Sequence, residues 1–211
     1  MKRGLGLSLI LIVVVLIALF LYFYNYDDYD SQIVRDSSVC FSNNILGYLD
    51  RCLFNLGQLY VFSTGDIDEG KHPDSEEVFD RSHGICDLAP LNIISGKVFF
   101  GGSTFTGSKK EYCYYALADY VAFVKEYDRS SQPYEENKSK TVENIKVDHI
   151  IKLCKLIENI TISDDCLSKV SNRFVAFTSE EFNLICNSIN SENKRRLCLQ
   201  ENFIFKTNLY G

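Results

Sequence analysis

Two segments of this chain have the same frame. Cys154 to Cys166 reads CKLIENITISDDC and Cys186 to Cys198 reads CNSINSENKRRLC, each a cysteine, eleven residues and a cysteine, repeating at an interval of 32 residues. A third copy, CFSNNILGYLDRC, runs from Cys40 to Cys52, and Cys86 with Cys113 reads as the same unit carrying an insertion. Two cysteines twelve positions apart on one helix would stand about 18 Å apart along its axis. A disulfide needs Cα atoms within about 7 Å. If each pair is bonded, the chain must turn back between its members, so the spacing predicts four cross-linked helical hairpins in a repeat array. The expected pairs are Cys40–Cys52, Cys86–Cys113, Cys154–Cys166 and Cys186–Cys198. Buried free thiols, which pack as small hydrophobes, are the competing reading, and a staggered Cys166–Cys186 pair closes a loop of similar length.

Apolar periodicity supports helices on both sides of each loop. Val147, Ile150, Ile151, Cys154 and Ile157 share one helical face, as do Phe182, Ile185, Cys186 and Ile189. Thr178 with Glu181 predicts a capping box opening the second of these helices. Beyond the loops the period resumes at Cys166, Val170, Phe174 and Phe177, and at Cys113, Ala116, Leu117, Tyr120, Val124 and Tyr127. Leu53, Leu56, Leu59 and Tyr60 continue the first hairpin. The expected fold class is therefore mainly α: an ectodomain of α-α hairpin repeats, superhelical in the manner of tetratricopeptide arrays, with disulfides and a small β-like hairpin insertion.

Cys-x11-Cys hairpins with an Ile three residues after the first cysteine (Ile157, Ile189) and an aromatic-Ala run after the second (CYYALADYVAF) resemble uncharacterised archaeal helical-repeat proteins, often membrane-anchored. The resemblance covers roughly residues 36–205. Asn43 replaces the Ile in the first repeat, and the second repeat is interrupted. It implies a fold and a setting, and no catalytic residues.

Leu5 to Tyr24 is twenty residues without a charge. As a helix that run crosses a bilayer core of about 30 Å. No small-residue cleavage site of the A-x-A kind follows it. Lys2 and Arg3 precede it and Asp27, Asp28 and Asp30 follow, which places the N-terminus in the cytoplasm and the body outside. The expected organisation is an anchor over residues 1–30, repeats one and two over 31–127 with an insertion at 87–112, a polar linker at 128–144, and repeats three and four over 145–211. Arg3-Gly4 before a long apolar helix also resembles the processing site of archaeal type IV pilins, which makes a filament or envelope subunit the alternative.

The formal net charge of the chain is −6, and an acidic body lacks the basic face that nucleic-acid backbones require. In the polar connection after the first hairpin, Asp66, Asp68, Asp74 and Glu77 fall at positions 1, 3, 9 and 12 of an EF-hand loop, but Lys71 stands where Gly is needed. Asp74 and Glu77 read better as a helix cap. His72 and His83 lack zinc-type spacing. In the insertion, Val98, Phe99, Phe100 and then Ser103, Thr104, Phe105 have strand character around Gly101-Gly102. Phe99, Phe100 and Phe105 are candidate partner contacts on an exposed hairpin; the competing reading, of equal weight, is that Phe99 or Phe105 folds onto the repeats. Gly102 and Gly107 have phosphate-loop spacing, but Ser108-Lys109 reverses the required Lys-Ser order. Asn137-Lys-Ser and Asn159-Ile-Thr are glycosylation acceptor patterns, making Asn137 and Asn159 candidate sites.

His149 falls mid-helix with no partner evident in sequence. No nucleophile–base pair, C-x-x-C motif, metal-ligand set or cofactor motif emerges. The sequence therefore predicts a non-enzymatic protein-interaction or scaffold module without cofactor.

Overall fold

Every cysteine closes a helical pair. In the computed structural model, described over residues 13–16, 32–62, 73–97, 104–130, 145–173 and 176–200, Cys40–Cys52 joins α1 (residues 32–42) to α2 (Leu46–Leu56). Cys86–Cys113 joins α3 (Ser75–Asp87) to α4 (Lys109–Ser130). Cys154–Cys166 joins α5 (Val147–Lys155) to α6 (Ile160–Ser171), and Cys186–Cys198 joins α7 (Ser179–Asn187) to α8 (residues 192–200). The paired Cα atoms stand 5.4–5.6 Å apart, within disulfide reach. No cysteine is left free. The architecture is mainly helical with one small sheet.

The helix starts have local causes. Asp74 accepts the Glu77 amide at 2.8 Å and caps α3, so these two residues serve the helix. Thr178 and Glu181 form the full capping box of α7. Ser108 and Glu111 do the same for α4: the Ser108 hydroxyl accepts from the Glu111 amide at 3.1 Å and the Glu111 carboxylate accepts from the Ser108 amide at 2.8 Å. The Ser-Lys-Lys-Glu run beside the near phosphate-loop glycines is thus a helix start. Lys109 is buried, and its ammonium donates to the Phe41 carbonyl in the last turn of α1, where a cation suits the helix dipole.

Two compact units divide the chain, Met1–Asp36 and Ser37–Gly211. In the first, residues 13–16 are helical with exposed side chains. Most of the apolar run 5–24 lies outside the described residues, and among the described residues no helix is long and apolar enough to cross a membrane. The second unit contains residues on both sides of the polar stretch 128–144, which itself lies mostly outside the described residues.

Within the second unit, the helical pairs are tied together by polar contacts. The Tyr112 hydroxyl donates to Asp50 at 2.9 Å, tying α4 to α2. The Lys125 ammonium donates to the Ile145 carbonyl at 2.8 Å and to Glu181 at 2.6 Å. Asp164, buried on α6, accepts the Asn190 and Ser191 amides at 2.8 and 2.9 Å, satisfying backbone donors at the start of α8. Leu49, Leu53, Ile85, Leu117, Ile150, Leu153, Leu167, Ile185 and Ile189 fill the interior.

Helical periodicity fails at two of its expected positions. Leu59 is 57% exposed, while Tyr60 and Val61 are buried. Gly57–Val61 is a π-helical turn in which the Phe62 amide reaches the Gly57 carbonyl at 3.2 Å. The wider turn moves the buried face one residue along. Tyr127 is 63% exposed near the end of α4, where Val121, Ala122 and Lys125 face inward instead.

The sheet is an antiparallel hairpin of β1 (Ile93–Lys97) and β2 (Thr104–Ser108), in register from Ile93↔Ser108 to Lys97↔Thr104. The first strand therefore precedes the expected Val98-Phe99-Phe100 run. Those residues lie in the connection 98–103, outside the described residues. Phe105 requires a correction: it is 5% exposed and packs edge-on to Tyr112 at 4.8 Å. It is a core residue and not an exposed contact.

Candidate functional site

The site is built from two helix faces. Asp50 and Phe54 are four residues apart on α2. Ala116, Asp119, Tyr120 and Phe123 stand at i, i+3, i+4 and i+7 on α4, so each set lines one face. With Arg173, just beyond α6, they line a half-open cavity of about 230 Å³ whose walls are mainly apolar.

Its aromatic rings are locked against one another. Phe54 and Tyr120 meet edge-to-face at 4.7 Å, and Phe123 lies 6.2 Å from Phe54. Phe62 supports Tyr120 from the far side of the π turn, at 5.6 Å. Gly57 is required here: a Cβ at that position would overlap the Tyr120 ring. Burial pushes the Tyr120 phenol up to about 12.

The polar groups are fixed by partners behind the wall. Asp50 is only 7% exposed, and its Oδ1 accepts from Tyr112. Burial, then the Asp50 charge and hydrogen bond, raise the Tyr112 phenol far above the ordinary tyrosine range. Arg173 donates through Nε to Asp119 at 2.7 Å and through Nη1 to Glu126 at 2.9 Å. Its guanidinium carbon lies 5.2 Å from the Phe123 ring centroid. Burial works against the Arg173 charge, but Asp119 and Glu126 outweigh it, and the net shift is upward. The pocket thus combines aromatic walls, a buried carboxylate and a guanidinium already engaged by two carboxylates.

A second, more polar groove of about 690 Å³ lies between β2, Tyr115 and α6. Asn159 stands on its rim. The Asn159 side-chain oxygen caps α6 by accepting the Thr161 and Ile162 amides at 3.0 and 3.4 Å. The residue is exposed. Asn137, Phe99 and Phe100 lie outside the described residues, as do Asp66, Asp68 and His72. His83 pairs with Asp87 at 2.9 Å across one helical turn. Among the described residues no group of His, Cys, Asp and Glu has the arrangement of a metal site.

His149 does have partners, and they come from α3. Nδ1 faces both the hydroxyl and the carbonyl of Ser75, the latter at 2.7 Å, and Nε2 faces the Glu76 carboxylate at 3.0 Å. A serine, a histidine and a carboxylate in contact suggest a nucleophile with its base. The geometry instead makes a brace. Ser75 is 4% exposed inside the helix packing, its hydroxyl also accepts the Lys146 amide at 3.3 Å, and its own carbonyl competes for Nδ1. His149 and Ser75 are 74 positions apart, so no local pattern announces the pairing.

Comparisons with protein-family models, curated proteins and solved structures found no match for this chain.

Proposed function

We propose that this chain is a single-pass membrane-anchored, extracytoplasmic helical-repeat protein that works as a binding or scaffold module and not as an enzyme. The observation that carries the reading is the closure of four helical pairs by disulfides with no cysteine left over. Disulfides persist in oxidising compartments. The apolar run 5–24, with its basic leader and acidic trailer, supports an anchor with the body outside. Contacts between successive helical pairs, with Lys125–Glu181 also tying the second pair to the fourth, support a superhelical array of the tetratricopeptide kind, whose concave surfaces suit protein partners. The resemblance to archaeal helical-repeat proteins supports the same setting. The Arg3-Gly4 resemblance to pilin leaders draws no further support from the helical body.

Protease added to intact cells, followed by non-reducing peptide mapping, tests the proposal. The body is expected to be digested and to yield the four hairpin disulfide peptides. Protection of the body in intact cells, or release of the full chain by a high-salt wash, overturns the anchored extracytoplasmic reading. A native N-terminus at Gly4 or Leu5 would transfer the chain to the filament class.

A further inference from the structure

We infer that Asn159 carries an N-linked glycan, and that the first sugar of that glycan lies in the polar groove between β2 and α6. The whole acceptor triplet is presented to solvent. Asn159 and Thr161 are exposed and Ile160 is 65% exposed, as a bulky surface modification requires. The inference rests on the extracytoplasmic reading, since it needs the body on the side where lipid-linked oligosaccharides are transferred.

The fold divides the Asn159 side chain into a structural end and a chemical end. Oδ1 accepts the Thr161 and Ile162 amides at 3.0 and 3.4 Å, and two N–H donors facing one atom identify it as the oxygen. The Asn159 backbone amide donates to Glu111 at 3.1 Å. Among the described residues none of these bonds uses Nδ2, the atom that takes a glycan. In the transfer, Nδ2 forms a bond to the anomeric carbon of a lipid-linked oligosaccharide. The bond from that carbon to the lipid phosphate breaks, the lipid phosphate leaves with the electron pair, and Nδ2 gives up one proton. The product amide keeps its carbonyl oxygen, so the cap of α6 survives the modification.

The groove supplies the seat. Asn159 and Thr161 both line it, and about 690 Å³ is in the range of small-molecule sites. Thr104, Thr106, Ser168 and Asn172 give it neutral hydroxyl and amide groups, which match sugar hydroxyls as donors and acceptors. Asp165, on the same lining, pairs with Lys194 at 2.6 Å. Tyr115 and Ile162 add apolar wall for the C–H face of a sugar ring. A sugar bonded to Nδ2 is tethered at this lining, so weak contacts suffice to hold it there.

The test is mass spectrometry of the chain isolated from its native membrane, reduced and cut with trypsin. The peptide of residues 156–169 is expected to carry a glycan mass on Asn159. Thr161→Ala removes the acceptor hydroxyl but not the backbone amide that the cap uses, and is expected to return the peptide to its unmodified mass in a folded chain. Thr161→Ser keeps the acceptor pattern and is expected to keep the glycan. Amide exchange in residues 104–106 and 168–172 is expected to be slower in the glycosylated chain than in Thr161→Ala. If Thr161→Ala does not fold, removal of the glycan by an amidase, which leaves a capping carboxylate, gives the same comparison. An unmodified peptide, or a glycan on Asn137 alone, overturns the attachment site. A glycan with equal exchange in both segments overturns the seat. Protease digestion of intact cells separates the two readings: an unmodified peptide from a chain whose body is digested sinks this inference alone, and one from a protected body sinks the extracytoplasmic reading with it.

Discussion

Phe105 shows how one side chain changes the reading of a whole insertion. Its ring lies 4.8 Å from that of Tyr112 and 6.0 Å from that of Tyr115, so the hairpin is pinned to α4 by aromatic packing. Removing a buried phenylalanine ring costs about 3–5 kcal/mol. Phe105→Ala is therefore expected to lower stability in urea unfolding by about 3 kcal/mol or more. A loss below about 1 kcal/mol, the range of surface substitutions and minor repacking, would put the ring back on the surface. Alternation along β2 fixes that Phe105 and Gly107 share a face, but not which face the helices cover. That depends on how the hairpin docks on α4, which sequence does not encode locally. His149 is a similar case, since its partners lie on a helix far back in the chain. Asp50 and Asp119 were also invisible as site residues. Their signal was there, in the four-residue spacing of Asp50 from Phe54 and of Asp119 from Phe123, but acidic residues on a helix usually read as solvated.

At the level of elements, the cysteine frame was the strongest signal, because a disulfide sets a hard limit on distance and a twelve-residue separation violates it on a straight helix. The capping box at Thr178 and the Asp74 cap were legible for the same reason: they are local chemistry. Apolar spacing turns Leu59 inward because a π turn leaves no mark in it. β1 is hard to see in sequence because Ser95 and Gly96 dilute its strand character, while the richer Val98-Phe99-Phe100 run lies in the connection. The cross-links themselves carry a graded prediction. Replacing Cys154 and Cys166 together by alanine opens a loop of twelve residues and is expected to cost about 3 kcal/mol in the chain-entropy account. The Cys86–Cys113 pair spans 27 positions, and removing it is expected to cost about 0.7 kcal/mol more. Denaturant unfolding of the two double variants checks the order; the reverse order would mean that native-state packing, and not loop closure, sets the contributions. Asp164→Ala removes acceptors for the Asn190 and Ser191 amides at the start of α8. Loss of such a cap costs about 1 kcal/mol, and amide exchange in residues 190–195 is expected to accelerate more than in α5.

For the molecule as a whole, the titratable groups define a pH window of stability. Burial alone would raise the Glu181 carboxyl, but hydrogen bonds from Lys125 and Thr178, with the Lys125 charge, bring it below its usual value. Asp87 is held low chiefly by the hydrogen bond from Lys110, against the opposing effect of burial and with help from Tyr114 and His83. A carboxyl whose folded pKa is depressed adds stability above its unfolded pKa and loses it as pH falls through the folded one. The acid limb should therefore begin below the ordinary carboxylate values of 4.5 and 3.8. Tyr112, Tyr114 and Tyr120 are shifted the other way, in each case mainly by burial. A phenol whose folded pKa is raised adds stability below its unfolded pKa, and that contribution is lost as pH rises from the ordinary phenol value of 10.0 through about 12 for Tyr120. Urea unfolding across pH is thus expected to give a plateau near neutrality with a falling limb on each side. Two substitutions separate the limbs. Glu181→Gln keeps an acceptor for the Thr178 amide but cannot ionise, so it should shrink the acid limb and leave the alkaline one alone. Tyr120→Phe should shrink only the alkaline limb, and phenolate absorbance in the near ultraviolet should then lose one late-titrating group. An alkaline limb unaltered by Tyr120→Phe would mean that the phenol reaches solvent freely, against the 7% exposure of Tyr120 in this fold.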